Sequence, residues 1–422
     1  MKARTRSALI WLAGTLTPLM GFVVYAWRPA IAPLEANAPG QFAQAAINRG
    51  AQLAALGNCA TCHTAYGGAM YSGGRKLATA FGNIYSTNIT PEAQTGIGKW
   101  SLEAFQRAMR QGVDREGRHL YPAFPYDHFT LVTDADNAAL YAFLMTRKPV
   151  RARTPENELS FPLNVRMVIA GWKLLFLHTG PYDNAATQDV TWNRGAYLVN
   201  GLAHCGGCHT PRNDFGAENS QRFSGADAEG WHAFAIDSRA HTHEAWTADS
   251  LYAYLRHGWQ EQHGDAYGPM ASVVQNLAVA TDEDLRAISI YMASRIDGQP
   301  APAAAAARPP EPPQSEDTGA QVYAATCQNC HDGSRPLPFG GVRLTLSTAV
   351  TGESATNLIN IILHGLNPAE VSTGAMMPGF GHTLTDAQLE SLVSYIRSAQ
   401  ASRPAWADVD TTVRAARSRD HD

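Results

Sequence analysis

Three short stretches hold every cysteine of this 422-residue chain: Cys59-Ala-Thr-Cys62-His63, Cys205-Gly-Gly-Cys208-His209 and Cys327-Gln-Asn-Cys330-His331. Two thiols at this spacing can add to two vinyl groups of one macrocycle as thioethers. The adjacent histidine then lies under the iron and ligates it through an imidazole nitrogen. C-x-x-C-H is the attachment signature of c-type haem. Three covalent haem c groups are therefore expected, on Cys59 and Cys62, Cys205 and Cys208, and Cys327 and Cys330, with His63, His209 and His331 as proximal iron ligands. A zinc reading would pair the motifs into four-ligand sites and leave one motif over. A redox dithiol has no need of a neighbouring histidine three times.

The haem iron of an electron carrier normally takes a second protein ligand, and a methionine sulfur there favours the ferrous state. Met377, in Met377-Pro-Gly-Phe380, stands eight residues before Thr385, and Met376 is its less suitable neighbour. Met270, in Gly268-Pro269-Met270, stands 61 residues after His209 and 11 before Thr281. Both are expected to be distal ligands. The same count of 61 from His63 reaches Phe124, which has no lone pair to offer iron. Three residues near it could. Met109 lies within a helical run and reads as core. His119 follows an Arg-x-Gly turn and reads as a solvent-facing loop residue. His128, five residues before Thr133, is the choice, and it gives a bis-histidine iron. The alternative is an exposed His128 and an open or water-ligated haem 1.

The elements that must position these groups recur. Asn48-Arg49-Gly50-Ala51-Gln52-Leu53, Asn193-Arg194-Gly195-Ala196-Tyr197-Leu198 and Gly319-Ala320-Gln321-Val322-Tyr323 each precede a haem motif. Helical stretches at 100–112, 246–258 and 357–365 follow, each ending in a glycine suited to a left-handed cap. Thr133-Asp134, Thr281-Asp282 and Thr385-Asp386 then begin a last helix, with threonine as N-cap and acid at the positive end. Ten residues past each threonine stands an aromatic: Phe143, Tyr291 and Tyr395. These are expected where the last helix crosses the first.

Outside the repeats, Lys2, Arg4 and Arg6 precede an uncharged run, Ala8 to Trp27, of 20 residues. That length suits a transmembrane helix, and the basic end places the body on the outer side. A cleaved signal peptide is the alternative. Residues 298–317 are a proline- and alanine-rich linker. The connector contains an apolar run, Val165 to Leu177, too short to span a bilayer. It is either a helix packed between domains or a surface for a partner subunit or the lipid interface. Hydrophobic content of 45% and charged content of 17% describe a folded chain, and a net charge of −4 without a basic stripe gives no footprint for nucleic acid. His241 and His243 lack a set of acidic or cysteine partners and read as surface residues. The expected domains are 1–40 (anchor and lead-in), 41–150 (first haem domain), 151–188 (connector), 189–297 (second haem domain), 298–317 (linker), 318–402 (third haem domain) and 403–422 (tail).

The order of first helix, C-x-x-C-H, middle helix and capped last helix resembles class I cytochrome c. The implied fold is all-α, three tandem cytochrome c domains behind an N-terminal membrane helix. Residues 40–400 resemble the triheme cytochrome c subunits of bacterial membrane-bound dehydrogenases. The resembling runs are Ser86-Thr-Asn-Ile-Thr-Pro91, Thr95-Gly-Ile-Gly-Lys-Trp100, Leu120-Tyr-Pro-Ala-Phe-Pro-Tyr126 and Gly268-Pro-Met270. Such subunits partner quinoprotein alcohol dehydrogenases, flavin-dependent sugar dehydrogenases and molybdenum hydroxylases acting on aldehydes or N-heterocycles. Phe124 and the retained apolar run point to the molybdenum hydroxylase branch. The resemblance implies an electron-transfer subunit, not an enzyme on its own. It would sit on the periplasmic face of the cytoplasmic membrane and pass electrons from a catalytic subunit to ubiquinone or a terminal oxidase. Two other classes stay open: a multihaem peroxidase using an open haem 1, and a stand-alone periplasmic shuttle.

Overall fold

The computed structural model describes residues 17–18, 20–35, 42–240, 244–296, 318–331, 343–366 and 376–419. The chain divides into two compact units. One comprises 1–184, 200–204 and 214–217; the other comprises 185–199, 205–213 and 218–422.

In the first unit, helix Gln44–Leu56 crosses helix Asp134–Met145. The crossing is close because Gly50 has no side chain. A Cβ there would lie 2.0 Å from the Ala139 carbonyl oxygen and 2.6 Å from Phe143 Cβ. Thr133 caps the last helix by accepting the Asp136 N–H, and Arg49 pairs with Asp136 at 3.5 Å. The middle helix, Leu102–Gln111, is capped by Ser101 and ends at Gly112, whose φ is 59°. Its apolar face buries Ala104, Phe105, Ala108 and Met109.

The second unit repeats this construction twice. Helix Val190–Asn200 crosses Asp282–Arg295, where a Cβ on Gly195 would lie 2.0 Å from the Ala287 oxygen and 2.8 Å from Tyr291 Cβ. Arg194 pairs with buried Asp284 at 2.7 Å. Helix Thr318–Thr326 crosses Asp386–Tyr395, with Gly319 against the Ser391 oxygen and Tyr395. Phe143, Tyr291 and Tyr395 thus stand at the crossings, as their spacing suggests. The middle helices are Ala248–His257 and Thr356–His364, ending at Gly258 and Gly365 with φ of 74° and 75°. Two asparagines tie the two copies into one unit. Asn357 is wholly buried; it accepts from the His232 N–H and donates to the His232 carbonyl, and Asn360 donates to the Gly230 carbonyl.

The fold is mainly helical but not all-α. Hairpins Lys76–Thr79 with Gly82–Tyr85, Ala226–Ala228 with Trp231–Ala233, and Trp259–Gln260 with Gly264–Asp265 interrupt it. Glu158–Leu159 of the connector adds a third strand to the first. The first two hairpins lie in the loops after the haem motifs, where the chain must double back to reach the proximal histidine. Helix Val409–Arg419, within the segment read as a tail, packs Val413 and Ala416 into the core of the third copy of this construction. Arg417 clamps it to the carbonyls of Gly381 and Leu384.

Of the apolar run 8–27, residues 8–16 and 19 lie outside the described residues; 20–26 are helical. Among the described residues no helix is long and apolar enough to cross a membrane. The segment that follows is clamped to the first unit. Ile31 donates to the Arg115 carbonyl, Leu34 to that of Lys99, and Arg107 to that of Pro29. The connector helix, Ile169–Phe176, buries Ile169, Ala170 and Lys173 and leaves Leu174 and Leu175 exposed. The linker 298–317, His241 and His243 lie outside the described residues.

Candidate haem sites

Cys59–His63 forms a short helix set up by Asn58 in the left-handed conformation. His63 Nδ1 donates to the Thr87 carbonyl at 2.6 Å. Gly206–His209 forms the matching turn, and His209 Nδ1 donates to the Phe234 carbonyl at 2.7 Å. Burial pushes both imidazoles below the ordinary histidine range, so they are neutral. The carbonyl fixes the proton on Nδ1 and leaves the lone pair on Nε2, the arrangement a metal-ligating histidine uses.

The loops around these histidines match. Gly73 donates to the His63 carbonyl and Gly225 to that of His209. Thr64 Oγ1 accepts the Tyr71 N–H, and Thr210 Oγ1 the Phe223 N–H. Arg75 caps the Thr61 carbonyl and Arg212 that of Gly207. The Ser86–Pro91 run holds Thr87 in place. Asn88 Oδ1 accepts from the N–H and hydroxyl of Thr90, and its amide donates to Val150 and Thr95. Sequence reasoning did not single out Thr87 or Phe234, because a backbone carbonyl leaves no trace in residue type. The polar run beside Thr87 was the available signal.

Burial pushes the Cys59 and Cys205 thiols up to about 12 and raises Cys327.

The third motif opens onto a cavity. Cys327, Cys330, His331 and Met377 line it together, and its empty volume is about 1280 Å³ with its open mouth included. Leu358, Ile361, Ile362 and Ile396 give it apolar walls. Apolar walls, two thiols, an imidazole and the thioethers of Met376 and Met377 in one cavity suit a tetrapyrrole, whose iron His331 and Met377 would hold. Met377 is held by a two-way backbone bridge to Leu366. Met376 also lines the cavity and is largely exposed. Met270 sits in the first turn of helix Pro269–Leu277, after Gly268 with φ 54° packed under the Trp231 ring.

Phe124 stacks edge-on against Phe129 and Tyr126 at 5.2 and 6.5 Å. It fills space with an aromatic cluster and supplies no ligand. His128 is buried in the turn Tyr126–Phe129, and its Nδ1 faces the Asn200 carbonyl at 2.7 Å. His119 is not the solvent-facing residue its loop suggested. It is 4% exposed, and both ring nitrogens are engaged, Nε2 with the Ala26 carbonyl and Nδ1 with Lys173 Nζ. The Arg-x-Gly turn that precedes it is closed over by residues 26–31, so burial replaces exposure. Met109 is core.

Residues 47–148 match the family model of cytochrome c, and 314–396 that of the cbb3-type cytochrome c oxidase subunit III. The fructose dehydrogenase cytochrome subunit of Gluconobacter japonicus is 36% identical over 91% of this chain and 84% of its own length. This chain belongs to the family of dehydrogenase cytochrome c subunits. The gluconate 2-dehydrogenase cytochrome c subunit of Pantoea cypripedii is 36% identical over 86% of this chain and 87% of its own. A nicotinate dehydrogenase subunit of Pseudomonas putida is 43% identical over 94% of this chain, which spans about a third (34%) of that relative's length. A member of this family is an electron-transfer subunit and not a catalyst on its own. Covalently bound haem c is its cofactor.

Proposed function

We propose that this subunit carries three haems and conducts electrons from a catalytic dehydrogenase subunit to ubiquinone or a terminal oxidase. Bound haem supplies one-electron redox chemistry; the chain's residues hold, orient and shield it. The observation that carries this reading is the repeated proximal device, an imidazole directly after two cysteines and pinned by a backbone carbonyl at 2.6 and 2.7 Å. The cavity shared by Cys327, Cys330, His331 and Met377 supports the third haem. Met270 and Met377 are the distal ligands of haems 2 and 3. His128 is that of haem 1; its Nδ1, like those of His63 and His209, faces a backbone carbonyl.

A molybdenum hydroxylase is the favoured catalytic partner. Phe124 supports it, and so does the 43% identity to a nicotinate dehydrogenase subunit, since nicotinate is an N-heterocycle. A flavin or quinoprotein dehydrogenase is the other option. The body lies in the periplasm, anchored to the cytoplasmic membrane by residues 8–27. Met20, Val24 and Trp27 are each more than 60% exposed, which favours a lipid environment for them. The connector extends this face: Phe22 packs over Gly171, and Leu174 and Leu175 point outward.

Mass spectrometry of the mature chain tests the haem count; three additions are expected, and two or fewer would overturn the triheme reading. Purified alone, the chain should accept electrons and oxidise no substrate. Adding the co-purifying catalytic subunit should confer substrate-linked quinone reduction.

A further inference from the structure

One asparagine reaches both sides of the second haem site. Asn357 lies on the middle helix Thr356–His364 of the third helical copy and is wholly buried. Its amide makes three bonds into the second copy. Oδ1 accepts the His232 N–H at 2.9 Å. Nδ2 donates to the His232 carbonyl at 2.8 Å and to the Tyr267 hydroxyl at 3.4 Å. Both amide hydrogens and the oxygen are thus used, and removing the side chain would leave buried partners unpaired.

Each contact leads to a ligand of haem 2. His232 belongs to strand Trp231–Ala233, and Phe234, directly after that strand, offers the carbonyl that takes the His209 Nδ1–H. Tyr267 stands three residues before Met270, and its hydroxyl also bonds to Thr348 of the third copy. The two arms touch one another. The Trp231 and Tyr267 rings lie 5.7 Å apart, and a Cβ on Gly268 would come within 2.6 Å of the Trp231 indole. The hairpin and the segment 267–270 therefore pack as one piece, and Asn357 holds it at both arms.

The first copy uses the same device. Its strand Gly82–Tyr85 leads to the Thr87 carbonyl that holds His63, and Asn157 Oδ1 accepts the Tyr85 N–H at 2.9 Å. Tyr85 stands two residues before Thr87, as His232 stands two before Phe234. Asn157 directly precedes strand Glu158–Leu159, which pairs with Gly82 and Asn83. In both copies an asparagine from a later segment bonds the strand that presents the carbonyl. A strand edge otherwise leaves its N–H and C=O groups unpaired.

We infer that Asn357, a residue of the third copy, positions both axial ligands of haem 2: His209 through the strand that leads to Phe234, and Met270 through Tyr267. The third copy thereby secures the iron ligation of the second. Asn357 is a positioning residue that acts through these neighbours. Partners that orient a metal ligand change metal affinity or activity by about 10–100-fold when removed.

This rests on His209 and Met270 as the ligands of haem 2 in the proposed function, which the haem count and Met270→Leu test separately. The experiment titrates full-length ferric holoprotein with imidazole and follows displacement of each methionine through its charge-transfer band. Met270→Leu and Met377→Leu assign the bands to haems 2 and 3. Asn357→Leu should raise the imidazole affinity of haem 2 about tenfold. Haem 3 should stay as in wild type, although the substituted residue belongs to the third copy. Tyr267→Phe keeps the bonds to His232 and should raise the affinity of haem 2 by less. In a Met270→Leu background, Asn357→Leu should shift the potential of haem 2 upward, because an imidazole less firmly bonded to a carbonyl is a weaker donor to iron. An unchanged haem 2 in Asn357→Leu overturns the inference. So does an equal change at haem 3, which would make Asn357 a structural residue of the third copy. If Asn357→Leu fails to retain three haems, Tyr267→Phe decides: a rise confined to haem 2 supports the inference, and wild-type affinity overturns it.

Discussion

Gly50 meets the carbonyl oxygen of Ala139 so closely that a Cβ would come within 2.0 Å of it, and Gly195 meets the oxygen of Ala287 at the same distance. The obstructing atoms are backbone, so no rotamer change can relieve them. Gly50→Ala or Gly195→Ala should destabilise its unit by about 1–3 kcal/mol or more, the range for overpacked cores. Urea unfolding followed by circular dichroism measures this. A variant as stable as wild type would mean that the helices can part at no cost.

Met270→Leu and Met377→Leu keep volume but remove the thioether. Each should lose methionine ligation at one haem only and lower that haem's potential, because sulfur favours ferrous iron. Visible spectra and redox titration report both. Retention of methionine ligation in Met377→Leu would point to Met376.

His128→Ala should open haem 1 to carbon monoxide and lower turnover with the catalytic partner, leaving the methionine-ligated haems unchanged. His119→Ala should behave differently. It removes the bond to the Ala26 carbonyl, so hydrogen exchange should rise in residues 26–31 while the spectrum of haem 1 stays the same. A carbon-monoxide-reactive haem 1 in the native protein would count against His128 as ligand.

Lys173 is buried, and Nζ donates to the Gln111 carbonyl and lies 3.1 Å from His119 Nδ1. Burial, with Arg28 nearby, pushes it down to about 7 from its ordinary 10.5. Between these values the unfolded chain holds a proton that the folded chain lacks. Stability of the first unit should therefore rise with pH from about 7 to about 10.5 and lie at its lower level below that window. Unfolding midpoints across pH 6–10 read the slope, and Lys173→Met should flatten it. A wild-type slope that survives in Lys173→Met would assign it to another group.

The sequence alone determined the chemistry and the plan. C-x-x-C-H spacing names a covalent haem site because two thioethers and one imidazole must reach one macrocycle from consecutive turns. The Thr-Asp starts and glycine ends of the helices were legible because capping is local. All three threonines accept the expected N–H, and the middle helices end in glycines of positive φ. The aromatic ten residues past each threonine marked the helix crossing because a fixed helical rise places it there.

Tertiary structure decided what depends on atoms far apart in the chain. The carbonyls of Thr87 and Phe234 orient His63 and His209 across 24 and 25 residues, and any residue type could supply them. His119 read as exposed because its loop is polar, but the lead-in segment covers it from 93 residues away. The joining of the two helical copies within the second unit depends on two buried asparagines whose partners lie 125 and 130 residues off. Only folding brings His263 to the wall of a cavity whose cysteines come more than 60 residues later. Local pattern encodes helices and caps, whereas the partner of a buried polar atom is set by which distant backbone the packing delivers.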